Sequence, residues 1–337
     1  MKDKPITEGY RRFQIHLKAL NEVLEAAQLT SEPAIFIYKS KARQSLFYLQ
    51  ALARIYKGIH NKKRFEKMRL AFKMFEDQLG KIDYYDGFVK ILSKNKAVPK
   101  SIIQNLKQHY DLELNNLKEL LLEHNWINTE KSKIVSIQNE LATASWKNQE
   151  EERGAIAQVF IKHIEEIEYK YEIGILNFND LEHGVHEFRR QLRWISIYAQ
   201  ALNGLIQLKS IENSHPTIDL YLTKQVLEGP FNKMPEVVSI SKSICFQAAN
   251  FYALSWMIAE SGQLKDEGLS TVCLETVMAE IGLSDKEIQD LLKKIHGNTK
   301  RSPKQVKEEM EVITDTFLYD AKILLRLKRD IFREFNN

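Results

Sequence analysis

Cysteine is almost absent: Cys245 and Cys273 are the only thiols in 337 residues. Neither stands at a CxxC or C…H spacing, which excludes a disulfide framework and a thiolate zinc site. Two isolated thiols in so long a chain are the usage of a reduced, cytoplasmic protein. Cys245, in the apolar run SICFQAANFYALSW, reads as part of a core helix.

Long hydrophobic runs are missing as well. The opening MKDKPITEGYRRFQIHL has no apolar h-region, and no stretch approaches the ~20 residues of a membrane span, so a soluble protein that does not engage the membrane is expected. The sequence has no G-x-x-x-x-G-K-[ST], G-x-G-x-x-G or G-x-S-x-G, the usual apparatus of nucleotide-phosphate and acyl chemistry.

Glycine and proline are scarce, at 13 and 7, and strict apolar-polar alternation is rare, whereas apolar residues recur at i, i+3, i+4 and i+7 from end to end. The fold class is therefore all-α. Helices are predicted over 9–28, 32–59, 61–79, 84–95, 100–125, 129–175, 180–209, 216–228, 236–261, 271–281, 285–296 and 303–335. LTSEP offers Ser31 or Thr30 as a cap with Pro33 in the first turn, Gly80 reads as a helix end, and Ser284 to Glu287 as a capping box.

Charge is nearly balanced, with 49 Lys+Arg against 45 Asp+Glu, so an anion site must come from uneven distribution. HEFRRQLRWISIYAQAL, residues 186–202, is such a place. At about 100° per residue, His186, Arg189 and Arg193 share an arc of ~60° with Arg190 beside them, opposite Phe188, Leu192, Ile195 and Ala199. Shifted by 150 positions, FIYKSKARQSLFYLQAL (36–52) lies over the same stretch, with Lys39 over Arg189, Arg43 over Arg193, and Phe36 where the histidine stands. The offset predicts two duplicated helical halves, 1–150 and 151–337.

Two further segments are basic. From Lys39 to Lys73 a single acid, Glu66, faces a block that includes Arg54, Lys57, Lys62, Arg69 and Lys73; in KILLRLKRDIFR, Lys322, Arg326, Arg329 and Arg333 form a stripe between apolar rows.

The spacing H-x-x-R-x-x-L-R, present as His186, Arg189, Leu192 and Arg193, resembles the CHAD domain, the conserved-histidine α-helical domain. The 36–52 stretch, with QLGKIDYYD after it, is similar to a weaker N-terminal counterpart. The resemblance covers about residues 30–335. It implies two four-helix bundles related by a pseudo-twofold axis, with a basic channel between them that binds inorganic polyphosphate. The chain departs from that pattern at Phe36 in place of a histidine, at Phe47, Tyr48, Trp194 and Ser196 in place of further cations, and at Ile82 before Asp83.

Binding a linear polyphosphate requires many guanidinium and ammonium donors along a path. The expected donors are Lys39, Arg43, His186, Arg189, Arg190 and Arg193, with Lys322, Arg326, Arg329 and Arg333, and Arg54, Lys57, Lys62, Arg69 and Lys73 as a secondary block. His186 would add a donor that strengthens as pH falls through roughly 6.5. The alternative is a degenerate relative acting as a scaffold for a protein partner. Without aromatics interleaved on the basic face, nucleic acid is a poor fit.

Enzyme readings are weaker, and no cofactor is expected. EIEYK (Glu166, Glu168, Lys170) matches the E-x-E-x-K of triphosphate tunnel enzymes, but that chemistry needs a closed barrel of strands and the segment has helical spacing. A di-metal bundle needs two Glu-x-x-His pairs on facing helices; the single instance, Glu212 to His215, stands before Pro216. His183 and His186 are an i, i+3 pair that reads as structural, so no metal site is expected.

Overall fold

The computed structural model describes residues 7–127, 132–211, 216–235, 243–297 and 301–336. It is all-α apart from one pair of four-residue strands: α1 Glu8–Gln28, α2 Pro33–Lys39, α3 Ala42–Lys57, α4 Lys62–Leu92, α5 Lys100–Glu123, α6 Lys133–Ala142, α7 Gln149–Glu172, a π-helical turn Leu181–His186 leading into α8 Glu187–Ala201, β1 Ile206–Lys209, α9 Pro216–Asp219, α10 Lys224–Leu227, β2 Ile244–Gln247, α11 Ala248–Glu280, α12 Asp285–His296, α13 Pro303–Asp315 and α14 Ile323–Asn336. No helix among the described residues is long and apolar enough to cross a membrane.

The chain forms two compact units, Met1–Lys147 with Ser270–Lys300, and Asn148–Leu269 with Arg301–Asn337. In the first, α3 packs against α1 and α4, α4 against α5, and α2 against α5. Its apolar positions give a core that includes Phe13, Leu46, Leu49, Phe65, Phe72 and Phe75, all fully buried. A satellite core joins the ends of α4 and α5 (Leu92, Ile102, Leu106) to the α11–α12 hairpin through Leu274, Met278 and Leu292. Trp146 packs against Phe13, Tyr56, His60 and Phe65. In the second unit α7 packs on α8 and α14, and α14 on β2, around fully buried Phe188, Leu192, Ile195, Phe246 and Leu327.

Several predicted boundaries are corrected, each for a local reason. Gly80 ends no helix: α4 runs through it to Leu92. The 32–59 helix breaks at Ser40, whose hydroxyl donates to the Ile37 carbonyl (2.6 Å) and accepts the Ala42 N–H (3.0 Å), a side-chain alternative to the helical ladder. Neither Ser31 nor Thr30 caps α2; Thr30 Oγ1 closes α1 on the Ala27 carbonyl (2.8 Å). The 129–175 span is two helices, the second opened by Asn148, whose side chain accepts the Glu151 N–H, with Glu150, Glu151 and Glu152 at its positive end.

The 180–209 span stops at Ala201 because Asn203 (φ 46) and Gly204 (φ 95) turn left-handed, and the chain leaves as β1. Cys245 lies on β2, not on a helix, and is buried. β2 pairs parallel to β1 with Ile206 opposite Ile244, and α11 follows without a break through the predicted gap at 262–270. Residues 236–242, assigned above to a helix start, and the Glu212 to His215 motif lie outside the described residues. The 303–335 span is interrupted by a π-helical turn at Thr316–Asp320 and by Lys322 at φ 53. The capping box at Ser284 is present, Glu287 Oε2 accepting both the Ser284 N–H (2.9 Å) and its hydroxyl (2.6 Å).

Candidate functional site

The face of α8 opposite Phe188, Leu192, Ile195 and Ala199 carries the cations. His186, Arg189 and Arg193 are half-buried on it and Arg190 is exposed, ion-paired with Glu187 one turn back. The π-helical turn that delivers this face depends on Gly184: a Cβ there would stand 1.9 Å from the Asn177 carbonyl oxygen. His183, its neighbour in that turn, points outward with 89% of its side chain exposed and Nδ1 3.2 Å from Asp180.

Arg189 is held from a distant part of the sequence. Its Nε donates to the Ile258 carbonyl of α11 (3.0 Å), and its guanidinium lies on Gly262 of the same helix, where a Cβ would come within 2.8 Å of Nε. Burial pushes the Arg189 pKa below the ordinary guanidinium value, and the Asp266 carboxylate partly offsets this. An arginine still keeps its charge at neutral pH. Asp266 itself pairs with Lys265 (2.7 Å).

The first unit contains the same local device. Arg43, in the first turn of α3, lies on Gly80 of α4, where a Cβ would meet its Nη2 at 2.9 Å. Its Nε donates to Glu76 Oε1 (3.0 Å) and its Nη1 to Asp83 Oδ2 (2.6 Å), while the guanidinium covers the Phe47 ring at 5.5 Å. Each unit therefore seats an early-helix arginine on a mid-helix glycine followed within four residues by an aspartate, Asp83 or Asp266. The two arginines are 146 positions apart, not the 150 of the sequence alignment, and in that register Ser40 rather than Phe36 stands where His186 does.

Beside Arg43 opens a cavity of about 700 Å³, lined by Lys39, Lys90 and Lys107, by Asp83, Asp86 and Asp111, and by Tyr38 and Tyr110. The Tyr38 hydroxyl donates to Asp86 Oδ2 (2.5 Å), and Lys90 pairs with the same carboxylate (2.6 Å). Against burial, which raises it, hydrogen bonds from Lys90 and Tyr38 hold the Asp86 carboxyl below its ordinary value. Burial and the Asp86 hydrogen bond push the Tyr38 phenol well above its own. Three ammonium groups thus face three carboxylates.

The remaining predicted cations are dispersed or answered. In the secondary block, Arg69 (2.7 Å) and Lys57 (3.0 Å) both pair with Glu66; these contacts, Arg69 first, hold its carboxyl down to about 2 against burial. Lys73 pairs with Asp77, Lys62 is exposed at the start of α4, and Arg54 is half-buried on α3. Three of the four cations of the C-terminal stripe, Arg326, Arg329 and Arg333, lie on α14. Lys322 sits in the turn before α14, Arg326 Nε returns to the Ala321 carbonyl (2.8 Å), Arg333 lies 4.0 Å from Asp330, and Arg329 is exposed. EIEYK lies on α7, where Lys170 pairs with Glu166 (2.6 Å) and Glu168 with Lys328 (2.5 Å).

Gly262, Lys265, Asp266 and Glu76 were not singled out from sequence. The available signal was SGQLKD at 261–266, a glycine with an aspartate four residues on inside an apolar helix, echoing LGKID at 79–83. Compared with known proteins, the chain matches no family model, no curated protein and no solved structure.

Proposed function

We propose that the protein binds inorganic polyphosphate, or a linear polyanion like it, without chemical turnover, and that the second unit's His186, Arg189 and Arg193 form its principal contact. One observation carries this reading. Arg189 is held by a backbone carbonyl on a glycine seat, an arrangement that fixes a charged fork without a carboxylate hydrogen bond among the described residues. A fixed guanidinium loses less side-chain entropy on meeting a phosphate than a free one, and it offers a bidentate edge. Arg193, one turn on, extends the same face. The recurrence of the seat at Arg43 supports the resemblance to the CHAD domain and a duplicated origin for the two halves.

The test is a fluorescence-anisotropy titration with long-chain polyphosphate of the protein and of an Arg189→Glu/Arg193→Glu variant, with double-stranded DNA as competitor. The reading expects salt-sensitive binding that the variant loses and that DNA displaces poorly. Equal binding by the variant, or displacement by equimolar DNA, would refute it. The competing reading, a scaffold for a protein partner, is favoured by the first unit, where Arg43, Lys57, Arg69 and Lys73 all meet carboxylates. On that reading the variant keeps its partner.

A further inference from the structure

We infer that Asp83 is a built-in competitor for polyanion: it occupies the phosphate-facing edge of Arg43 and keeps the neighbouring cavity electrically balanced, so that the first unit is a closed counterpart of the second. This inference rests on the polyanion reading above. It goes beyond that reading by assigning the affinity of one half to a single carboxylate.

The two edges of the Arg43 guanidinium are held by different kinds of acid. Glu76, on the Nε edge at 3.0 Å, has a side chain only 10% exposed, whereas Asp83, on Nη1 at 2.6 Å, is 59% exposed. Leaving Glu76 without Arg43 would strand a buried carboxylate, which is costly. Releasing Asp83 costs little, because water takes over its hydrogen bonds and an ion pair with so exposed a carboxylate is weak. Asp83 is therefore the exchangeable ligand, and a phosphate oxygen of the same charge and hydrogen-bonding capacity can take its place on Nη1 while Nε stays on Glu76.

The cavity gives the exchange a destination. Lys39, Lys90 and Lys107 line it against Asp83, Asp86 and Asp111. Asp86 is committed to Tyr38 and Lys90. When Asp83 turns to water or is neutralised, its negative charge leaves the wall, the Nη1 edge of Arg43 opens, and the cavity carries a net positive charge. Arg189 in the second unit is held differently: Asp266 pairs with Lys265, and the Arg189 Nε donates to the Ile258 carbonyl.

The experiment compares long-chain polyphosphate affinity across ionic strengths for the wild type, Asp83→Asn, Arg43→Gln and Arg43→Gln/Asp83→Asn, with Arg189→Glu/Arg193→Glu alongside. Asp83→Asn should bind at least threefold tighter, and each added phosphate contact should steepen the log–log salt slope by about 0.7. In the Arg43→Gln background the same substitution should give a smaller gain, the part due to cavity charge alone, and the difference between the two backgrounds measures the release of Arg43. Unchanged affinity in Asp83→Asn, or a gain of the same size without Arg43, overturns the inference while leaving the α8 site standing. Wild-type affinity in Arg189→Glu/Arg193→Glu removes the α8 reading instead. If neither the wild type nor Asp83→Asn binds at low salt, both fall. Circular dichroism of each variant verifies that the helices persist.

Discussion

At Gly262 an added methyl would stand 2.8 Å from Arg189 Nε, and at Gly154 and Gly87 it would meet nothing within 4 Å. These helix-interior glycines therefore predict opposite responses to alanine. Gly154→Ala and Gly87→Ala should each raise stability by about 0.5–1 kcal/mol, since glycine loses more backbone entropy on folding. Gly262→Ala should lower it by about 1–3 kcal/mol through overpacking against a half-buried guanidinium, and should weaken polyphosphate binding as Arg189 leaves its seat. Gly80→Ala crowds only the terminal Nη2 of Arg43, whereas Gly262→Ala crowds Nε, Nη2 and Cζ of Arg189 together, so the loss in Gly80→Ala should be smaller than that in Gly262→Ala. Urea denaturation midpoints for the four variants check the set. Which residues carry charge on α8 was legible in the sequence, because the 3.6-residue period alone separates Arg189 from Phe188 and Leu192. What holds Arg189 was not legible, because its seat lies in a helix far along the chain and an interior glycine reads locally as a helix end.

Among the elements, the junction of β2 with α11 is fastened by Asp330 of α14, which accepts the Gln247 N–H (3.0 Å) and the Asn250 side-chain amide (2.8 Å) while only 4% exposed. Burial raises its pKa above the ordinary carboxylate value, against the lowering effect of those two hydrogen bonds. A carboxyl whose folded pKa is raised contributes stability fully present below its unfolded pKa of ~3.9, and loses that contribution as pH rises through the folded value. Asp330→Asn cannot ionise and keeps an oxygen acceptor. Between pH 4 and pH 7 its urea midpoint should therefore fall less than that of the wild type, and Asp330→Ala should be the least stable at every pH. Parallel midpoint–pH curves for wild type and Asp330→Asn would contradict this role. The helices read too long from sequence share one cause: Ser40, Asn148 and the Asn203–Gly204 pair end or start helices through side-chain-to-backbone hydrogen bonds and left-handed φ, while the apolar period runs on across them.

For the molecule as a whole, a net charge of +4 conceals local blocks of cations such as that between Lys39 and Lys73. Composition predicted the all-α class, since so few glycines, prolines and alternating runs leave little else to build. It did not predict the pairing of cations with carboxylates, which depends on tertiary placement: Glu66 answers both Lys57 and Arg69, so a block that reads as eleven cations to one acid presents much less free charge. Lys57→Gln or Arg69→Gln should accordingly change polyphosphate affinity less than twofold, whereas Arg193→Gln should weaken it about tenfold; the same anisotropy titration reads both.

The central claim, that a seated Arg189 engages phosphate directly, is tested most directly by the salt dependence of polyphosphate affinity for the wild type beside Arg189→Gln. Loss of one direct contact should reduce the log–log slope by about 0.7 along with the affinity. An affinity loss at unchanged slope would mean that Arg189 only supports the fold, and unchanged affinity and slope would place polyanion binding elsewhere on the protein.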